Sequence, residues 1–203
     1  MELNLKGKTA LITGGTKGIG LAIKEALEKE GVICTSWSRA TGQDFLENEI
    51  SAKYLPDEYD ILVNNVGGGG SWANDDFHLV MKKNYFWTNT LTRIFLKKKK
   101  RKYGRVITIS SIFGKEKGHN PGFTAAKAAQ IAFMKSLAGN YKNITFNVIC
   151  PGHIDVGKPF PDKPDVVGKP TDIAPLVTFL CSDKDSHING AVITVDGGVS
   201  HSF

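Results

Sequence analysis

Short apolar segments alternate with longer amphipathic segments along this chain. The apolar segments that predict strands are Lys8–Thr13, Val32–Trp37, Asp60–Asn64, Arg105–Ser110, Ile144–Cys150 and Ala191–Val195. They are apolar almost throughout rather than alternately apolar and polar, which is typical of parallel strands that are covered on both faces of a sheet.

The segments between these strands have helical periodicity. Apolar residues recur at helical spacing from Ile19 to Leu27, before Gly31, which is a typical helix stop. Further helices are predicted over about 76–99, 123–139 and 171–180, with loops at 67–70 and 157–170. Strands and helices that alternate in this way, joined by right-handed crossovers, predict one α/β domain over residues 1–203. The expected fold is a Rossmann-type, doubly wound parallel sheet of about six to seven strands with helices on both faces.

The first strand runs into a glycine-rich turn, Thr13–Gly20 (TGGTKGIG), that opens the first helix. Glycines let the backbone approach a pyrophosphate closely, and the free N–H groups of the helix point at it. Because ligands of doubly wound sheets bind at the carboxyl ends of the strands, this turn predicts a nucleotide site.

Ordered motifs along nearly the whole chain resemble those of the short-chain dehydrogenase/reductase family. The turn has the spacing G-x-x-x-G-x-G, and it is followed by Asn64-Asn65-Val66-Gly67, Asn84, Ser111, Lys127, Pro151-Gly152-His153-Ile154 and Val195-Asp196-Gly197-Gly198. The resemblance implies an oxidoreductase with a nicotinamide cofactor. It assigns cofactor contacts to Gly14, Thr16, Lys17, Gly18, Ile19, Gly20, Asn65, Val66, Gly67, Lys127, Pro151, Gly152 and Ile154.

The residues after the second strand favour NADP(H) over NAD(H). NAD-preferring relatives place an acidic residue there for the ribose 2′-hydroxyl, whereas this chain has Ser38 and Arg39. An Arg side chain binds a 2′-phosphate in bidentate fashion, and Lys17 adds a second cation. The pair Asp44-Phe45 matches the family's aspartate beside the adenine ring. Only four residues separate Arg39 from Asp44, so the usual helix and third strand are expected to be truncated.

The resemblance implies a catalytic set of Asn84, Ser111, Lys127 and a tyrosine, but Phe123 occupies the tyrosine position. In the family the phenol protonates the substrate carbonyl, and the lysine four residues later lowers its pKa. Serine polarises the carbonyl oxygen, and asparagine supports a proton path. A phenylalanine cannot donate a proton, so activity should fall by at least ~10²–10⁴ while cofactor binding survives.

Three explanations for Phe123 remain open. The residue could be a deliberate substitution that traps bound substrate, or it could mark a natural NADP-binding regulatory or partner protein without catalysis. The third explanation is an enzyme with another proton donor, for which His119 and His153 are the candidates. Val156 stands where the family has a threonine, so one contact to the nicotinamide carboxamide is expected to be missing.

The expected substrate is a small-molecule carbonyl compound or secondary alcohol. A short lid after the P-G-x-I motif suggests an open pocket that suits a bulky or polar substrate, and Lys158 and Lys163 within it could meet a phosphate or be merely solvated. Similarity to 3-oxoacyl-acyl-carrier-protein reductases is general, so sugars, polyols and secondary metabolites remain open. By resemblance we expect a homodimer or homotetramer.

Composition excludes other classes of function. The net charge of +6 equals the charge of one run, Lys97–Lys102, which is expected to end a helix rather than to bind nucleic acid. No apolar run approaches the ~20 residues of a membrane span, and the N-terminal residues lack a signal-peptide core, so a cytoplasmic location is expected. Three distant cysteines lack metal-binding spacing, and no metal is expected.

Overall fold

The computed structural model describes residues 2–42, 55–56, 58–68, 76–98, 103–157, 160, 164–185 and 187–202. This part of the chain contains a six-stranded sheet formed by β1 (Thr9–Thr13), β2 (Ile33–Trp37), β3 (Ile61–Asn64), β4 (Gly104–Ile109), β5 (Ile144–Pro151) and β6 (Val192–Val195). The order across the sheet is β2-β1-β3-β4-β5-β6, and every pair is parallel. The predicted Rossmann-type fold is confirmed. The extent of the domain over 1–203 stays a prediction.

The chain changes its direction across the sheet at β1. β2 pairs with one side of β1, and β3 pairs with the other side, after which β4 to β6 continue outward. Connections from β1 and β3 therefore leave in opposite directions and open a crevice at the carboxyl ends of these two strands. The glycine turn follows β1 directly, so the fold places it in that crevice.

Five α-helices accompany the strands in the described residues: α1 (Gly18–Lys29), α2 (Phe77–Met81), α3 (Trp87–Lys98), α4 (Pro121–Leu137) and α5 (Pro170–Leu180). Two apolar cores lie on opposite faces of the sheet because successive strand residues point to opposite sides. Ile12 belongs to the core that holds α1 and α5, and its neighbour Leu11 belongs to the core that holds α3 and α4. None of the helices in the described residues is long and apolar enough to cross a membrane.

The helix predicted over 76–99 is interrupted. A five-residue π-helical segment, Lys82–Phe86, joins α2 to α3. Such wide turns are rare and occur frequently at functional sites, since they redirect one side chain without ending the helix. Asn84 lies in the middle of this segment.

α4 begins two residues earlier than the apolar pattern predicts. The side chain of Asn120 accepts a hydrogen bond from the backbone N–H of Phe123 at 3.0 Å, and Pro121 occupies the first helical position. An Asn cap followed by Pro is a favourable helix start because it satisfies one free N–H and removes another.

β2 is the outermost strand at its end of the sheet in the described part of the chain. Its first residue, Ile33, is 64% exposed. A short 3₁₀ turn, Arg39–Thr41, follows β2. The truncation predicted beyond Arg39 falls mostly on residues outside the described ranges, as do four residues of the lysine run. The remaining two, Lys97 and Lys98, form the last turn of α3 as expected.

Candidate functional site

The glycine turn presents backbone to the crevice. Gly14 has a φ of +69°, and its N–H donates to the carbonyl of Trp37 at 2.8 Å, which ties the turn to the end of β2. A Cβ atom on Gly20 would lie 2.3 Å from the carbonyl oxygen of Gly14, so only glycine allows α1 to start this close to β1. No side chain caps α1 at Lys17. The first N–H groups of the helix therefore have no side-chain cap, which suits the predicted pyrophosphate site.

The Asn64–Gly67 motif fastens β3 to that turn. The hydroxyl of Thr13 accepts hydrogen bonds from the backbone N–H groups of Asn65 and Val66 at 2.8 and 3.0 Å. The amide of Asn65 donates in return to the carbonyl of Thr13 at 2.9 Å. These hydrogen bonds hold the carboxyl ends of β1 and β3 together, and the two ends form the floor of the crevice.

Two cations belong to this end of the sheet, one within the glycine turn and one just after β2. Lys17 and Arg39 are both exposed, and neither forms an ion pair with any residue that the structure describes. Between them the hydroxyl of Thr16 donates to the buried hydroxyl of Ser38 at 3.2 Å. The end of β2 therefore offers hydroxyls and positive charge, and Asp44 and Phe45 lie outside the described residues.

Asn84 is fully buried, and its side chain forms three hydrogen bonds. Its side-chain oxygen accepts from the N–H of Gly68 at 2.9 Å, and its amide donates to the carbonyls of Gly68 and Val80 at 3.1 and 2.9 Å. Its backbone carbonyl accepts from the hydroxyl of Thr88 and from the amide of Gln130, at 3.0 and 2.7 Å. The π-helical segment is thus stabilised by a side chain of α4, a connection that the sequence pattern did not predict.

Lys127 is buried at the carboxyl end of β4. Its Nζ donates to the carbonyl of Ile109 at 3.0 Å and to the side-chain oxygen of Gln130 at 3.1 Å. Burial lowers the pKa of this amine to about 7, because the charged form loses its hydration. A Cβ atom on Gly67 would lie 3.1 Å from Nζ and 2.6 Å from the side-chain oxygen of Asn84. Glycine at this position therefore lets both side chains approach the end of β3.

Ser111 and Phe123 lie in the same region as Lys127. The hydroxyl of Ser111 accepts from the N–H of Phe113 at 3.2 Å and remains half-buried. The neighbouring Ser110 is buried and donates to the backbone carbonyl of Lys127 at 2.9 Å. The Nζ of Lys127 is 5.5 Å from the centroid of the Phe123 ring, whose edge carries no oxygen.

A cavity of about 340 Å³ joins these parts. Its lining includes many of the predicted site residues, namely Ile19, Asn65, Gly67, Ser111, Phe123, Lys127, Pro151, Gly152, His153 and Ile154. Asn84 lies behind this lining, and His119 is exposed beside Phe113 with ring centroids 6.2 Å apart. The structure thus brings one of the two candidate histidines, His153, to the cavity. Phe113 and Phe160 also line it, although no motif pointed to them.

The two C-terminal motifs form the rim beside β5. Gly152 donates its N–H to the carbonyl of Val195 at 3.0 Å, and Ile154 pairs with Gly168 in an isolated parallel bridge. Asp196 accepts hydrogen bonds from the N–H groups of Gly198 and Ser200 at 2.9 and 2.8 Å, which folds the C-terminal residues back. The P-G-x-I and V-D-G-G motifs are therefore neighbours in space.

Comparison with known proteins identifies a matching family model and similar proteins along nearly the whole chain. The family model described as enoyl-(acyl carrier protein) reductase matches residues 45–200. The 3-oxoacyl-[acyl-carrier-protein] reductase of Aquifex aeolicus is 32% identical over 98% of this chain and 100% of its own length. The acetoacetyl-CoA reductase of Shinella zoogloeoides is 30% identical over 94% of this chain and 98% of its own.

Solved structures agree in fold. A provisionally assigned 2-deoxy-D-gluconate 3-dehydrogenase from Agrobacterium tumefaciens with bound NADP is 27% identical, with a TM-score of 0.86 over 97% of this chain and 98% of that one. A provisionally assigned NAD(P)-dependent gluconate 5-dehydrogenase from Beutenbergia cavernae has the same TM-score at 24% identity, over 98% of each chain. With the family model and the relatives above, the motifs and the fold agree: this chain belongs to the short-chain dehydrogenase/reductase family.

Proposed function

We propose that this chain is an NADP(H)-dependent oxidoreductase for a carbonyl compound or secondary alcohol whose chemical step is weakened by Phe123. The observation that carries the proposal is the catalytic region itself. The buried amine of Lys127 and the hydroxyl of Ser111 line one cavity with the ring of Phe123, which carries no phenolic oxygen. Binding and positioning groups are thus present where the proton donor is absent.

The cofactor assignment rests on the fit of the crevice. The uncapped start of α1 and the close approach at Gly20 suit a diphosphate, and the exposed Lys17 and Arg39 suit an additional 2′-phosphate. A structural neighbour at 27% identity holds NADP, which supports the same ligand here. Bound NADPH would supply the hydride, and the Asn64–Gly67 and Pro151–Ile154 motifs would hold its nicotinamide half.

The residues of this chain divide the remaining work. Ser111 can donate a hydrogen bond to a substrate oxygen, since its hydroxyl hydrogen is not used in its bond with Phe113. Lys127, held by Ile109 and Gln130, keeps a fixed amine beside the Phe123 ring. Without a phenol no residue of the predicted catalytic set hands a proton directly to the substrate, and general acids commonly contribute ~10²–10⁴ in rate.

The relatives support the substrate class in outline. Two of them are named as reductases of 3-oxoacyl or acetoacetyl groups, which are carbonyl compounds. Exposed apolar side chains on α2 and the π-helical segment, Phe77, Leu79 and Phe86, support a homodimer or homotetramer. Phe123 also favours a second candidate, a non-catalytic NADP-binding regulatory or partner protein.

The substitution Phe123→Tyr tests the proposal. Adding one oxygen should raise the rate of NADPH oxidation with a panel of ketones by about 10²–10⁴, because it restores a general acid beside Lys127. Tyr141→Phe is the matched control, since it changes the same hydroxyl on an exposed ring outside the cavity and should leave the rate unchanged. Equal, tight NADPH binding in calorimetry with no gain in rate would favour the non-catalytic protein. Absence of heat with both NADPH and NADH would contradict both candidates.

A further inference from the structure

Four rings line the same cavity as Ser111 and form what we call the aromatic wall: Phe113, Phe123, His153 and Phe160. His153 lies between Phe113 and Phe160, with ring centroids 5.9 and 5.2 Å away. The interplanar angles are 80° and 88°, so both contacts are edge-to-face. This geometry is favourable because the positive edge of one ring meets the negative face of the next.

The aromatic wall comes from four separate segments. Phe113 lies in the 3₁₀ turn after β4, Phe123 in the first turn of α4, His153 after β5 and Phe160 in the loop before α5. All four side chains are half-buried, so they leave ring surface open to the cavity. The N–H of Phe113 donates to the hydroxyl of Ser111, two residues earlier, so the aromatic wall adjoins the group that would hold the substrate oxygen.

The rest of the cavity offers little to a charged ligand. Among the described lining residues there is no carboxylate and no arginine, and Lys127 is the single lysine. Its amine already donates to Ile109 and Gln130, and burial keeps the pKa near 7, which reduces its charge at neutral pH. A carboxylate or phosphate that entered would lose hydration without gaining an ion pair of full charge among these described residues.

We propose that the substrate is an uncharged aromatic ketone, or the corresponding secondary alcohol, whose ring packs on the aromatic wall while its oxygen meets Ser111. The proposal rests on the oxidoreductase function proposed above and specifies its substrate. It departs from the bulky or polar substrate that the short lid suggested. It also departs from the sugar acids named for the structural neighbours and the acyl thioesters named for the curated relatives.

The test measures binding to the full chain loaded with NADP⁺, because a ketone cannot be reduced in that complex. Three probes are compared by calorimetry: acetophenone, cyclohexyl methyl ketone and 4-acetylbenzoate. The second keeps the size and loses the aromatic ring, and the third keeps the ring and adds a carboxylate. Acetophenone should bind roughly 2- to 10-fold tighter than the cyclohexyl ketone and at least about tenfold tighter than 4-acetylbenzoate. Equal or tighter binding of either competitor would overturn the proposal.

Phe160→Leu and His153→Leu test whether the aromatic wall is the surface that binds the ring of the ketone. Each should weaken acetophenone binding by roughly 2- to 10-fold and leave the cyclohexyl ketone within about twofold, since only ring contacts are lost. Tyr141→Leu is the matched control on an exposed ring outside the cavity. Retained NADP⁺ binding shows that each variant is folded. If the unmodified chain does not bind NADP⁺, the proposed function is refuted. If it binds NADP⁺ but not acetophenone, only the aromatic substrate is refuted.

Discussion

The proposed cofactor end and the proposed catalytic end of the cavity are built in different ways. At the cofactor end the decisive features are backbone: the close approach of Gly20 to Gly14 and the uncapped N–H groups that open α1. At the catalytic end they are single side-chain atoms, the Nζ of Lys127 and the hydroxyl of Ser111. A side-chain substitution can therefore remove chemistry at one end without disturbing binding at the other.

Phe123 shows how local such a loss is. The N-terminal cap of α4 uses the backbone N–H of Phe123, which donates to Asn120, and not the ring of Phe123. The ring still lies within 5.5 Å of the Lys127 amine. The missing phenolic oxygen thus leaves the cap of α4, the lysine and the cavity in place, and the two ends of the site can be tested separately.

The largest effect on binding is expected from Gly20→Ala. Its new Cβ atom would lie 2.3 Å from the carbonyl oxygen of Gly14, so α1 must shift and its N–H groups leave the diphosphate position. Overpacking of this kind costs roughly 1–3 kcal/mol, which predicts up to about 100-fold weaker NADPH binding in calorimetry. Gly122→Ala in α4 is the control, because the atoms nearest to its new Cβ atom, from Asn120 and Phe77, lie at an ordinary contact distance of 3.4 Å. Unchanged affinity in Gly20→Ala would mean that the diphosphate is held elsewhere.

A smaller effect is expected from Arg39→Ala. Removing this exposed guanidinium should weaken NADPH about tenfold and leave NADH nearly unchanged, because only NADPH carries a 2′-phosphate. Titration of both nucleotides by fluorescence measures the change in preference. Lys29→Ala removes an equally exposed cation from the far end of α1 and should alter neither affinity. A parallel loss for both nucleotides would contradict a specific role for Arg39.

The smallest effect is a pH dependence of stability at Lys127. The pKa of the buried amine is about 7, against an ordinary value of 10.5, so between these values the unfolded chain binds an extra proton. Stability contributed by this site therefore rises with pH across that window. Lys127→Met removes the amine and with it this pH dependence. The free energy of unfolding of the variant minus that of the parent should therefore be most positive below pH 7, and it should fall by about 1 kcal/mol or more towards pH 10.

Urea unfolding of both chains at several pH values measures that difference. The lost hydrogen bonds to Ile109 and Gln130 shift the whole curve but do not change with pH. Lys135→Met, on the exposed side of the same helix, should show no comparable trend. A constant difference between Lys127→Met and the parent would show that the amine is solvated in the folded chain.

Much of the site could be predicted because it follows the ends of predicted strands. Thr13, Asn64 and Ile109 end β1, β3 and β4, and in a parallel sheet these ends meet along one edge. The glycine turn, Asn65 and Ser111 are thus brought together by topology alone. Side chains from segments without such a pattern were missed. Gln130 lies on a helix with unremarkable polarity, and Phe160 lies in a loop that carries no periodicity at all.

The sequence by itself determined the fold, the motif order and the absence of a phenol at position 123, since each depends on residue type and spacing along the chain. The tertiary structure alone decided the interruption of the helix at Lys82–Phe86, the burial of Lys127 and the edge-to-face contacts of His153. These three features depend on which segments pack against each other across the sheet. Hydrogen bonds, desolvation and ring contacts between distant residues arise only when the packed chain brings them within a few ångströms of each other.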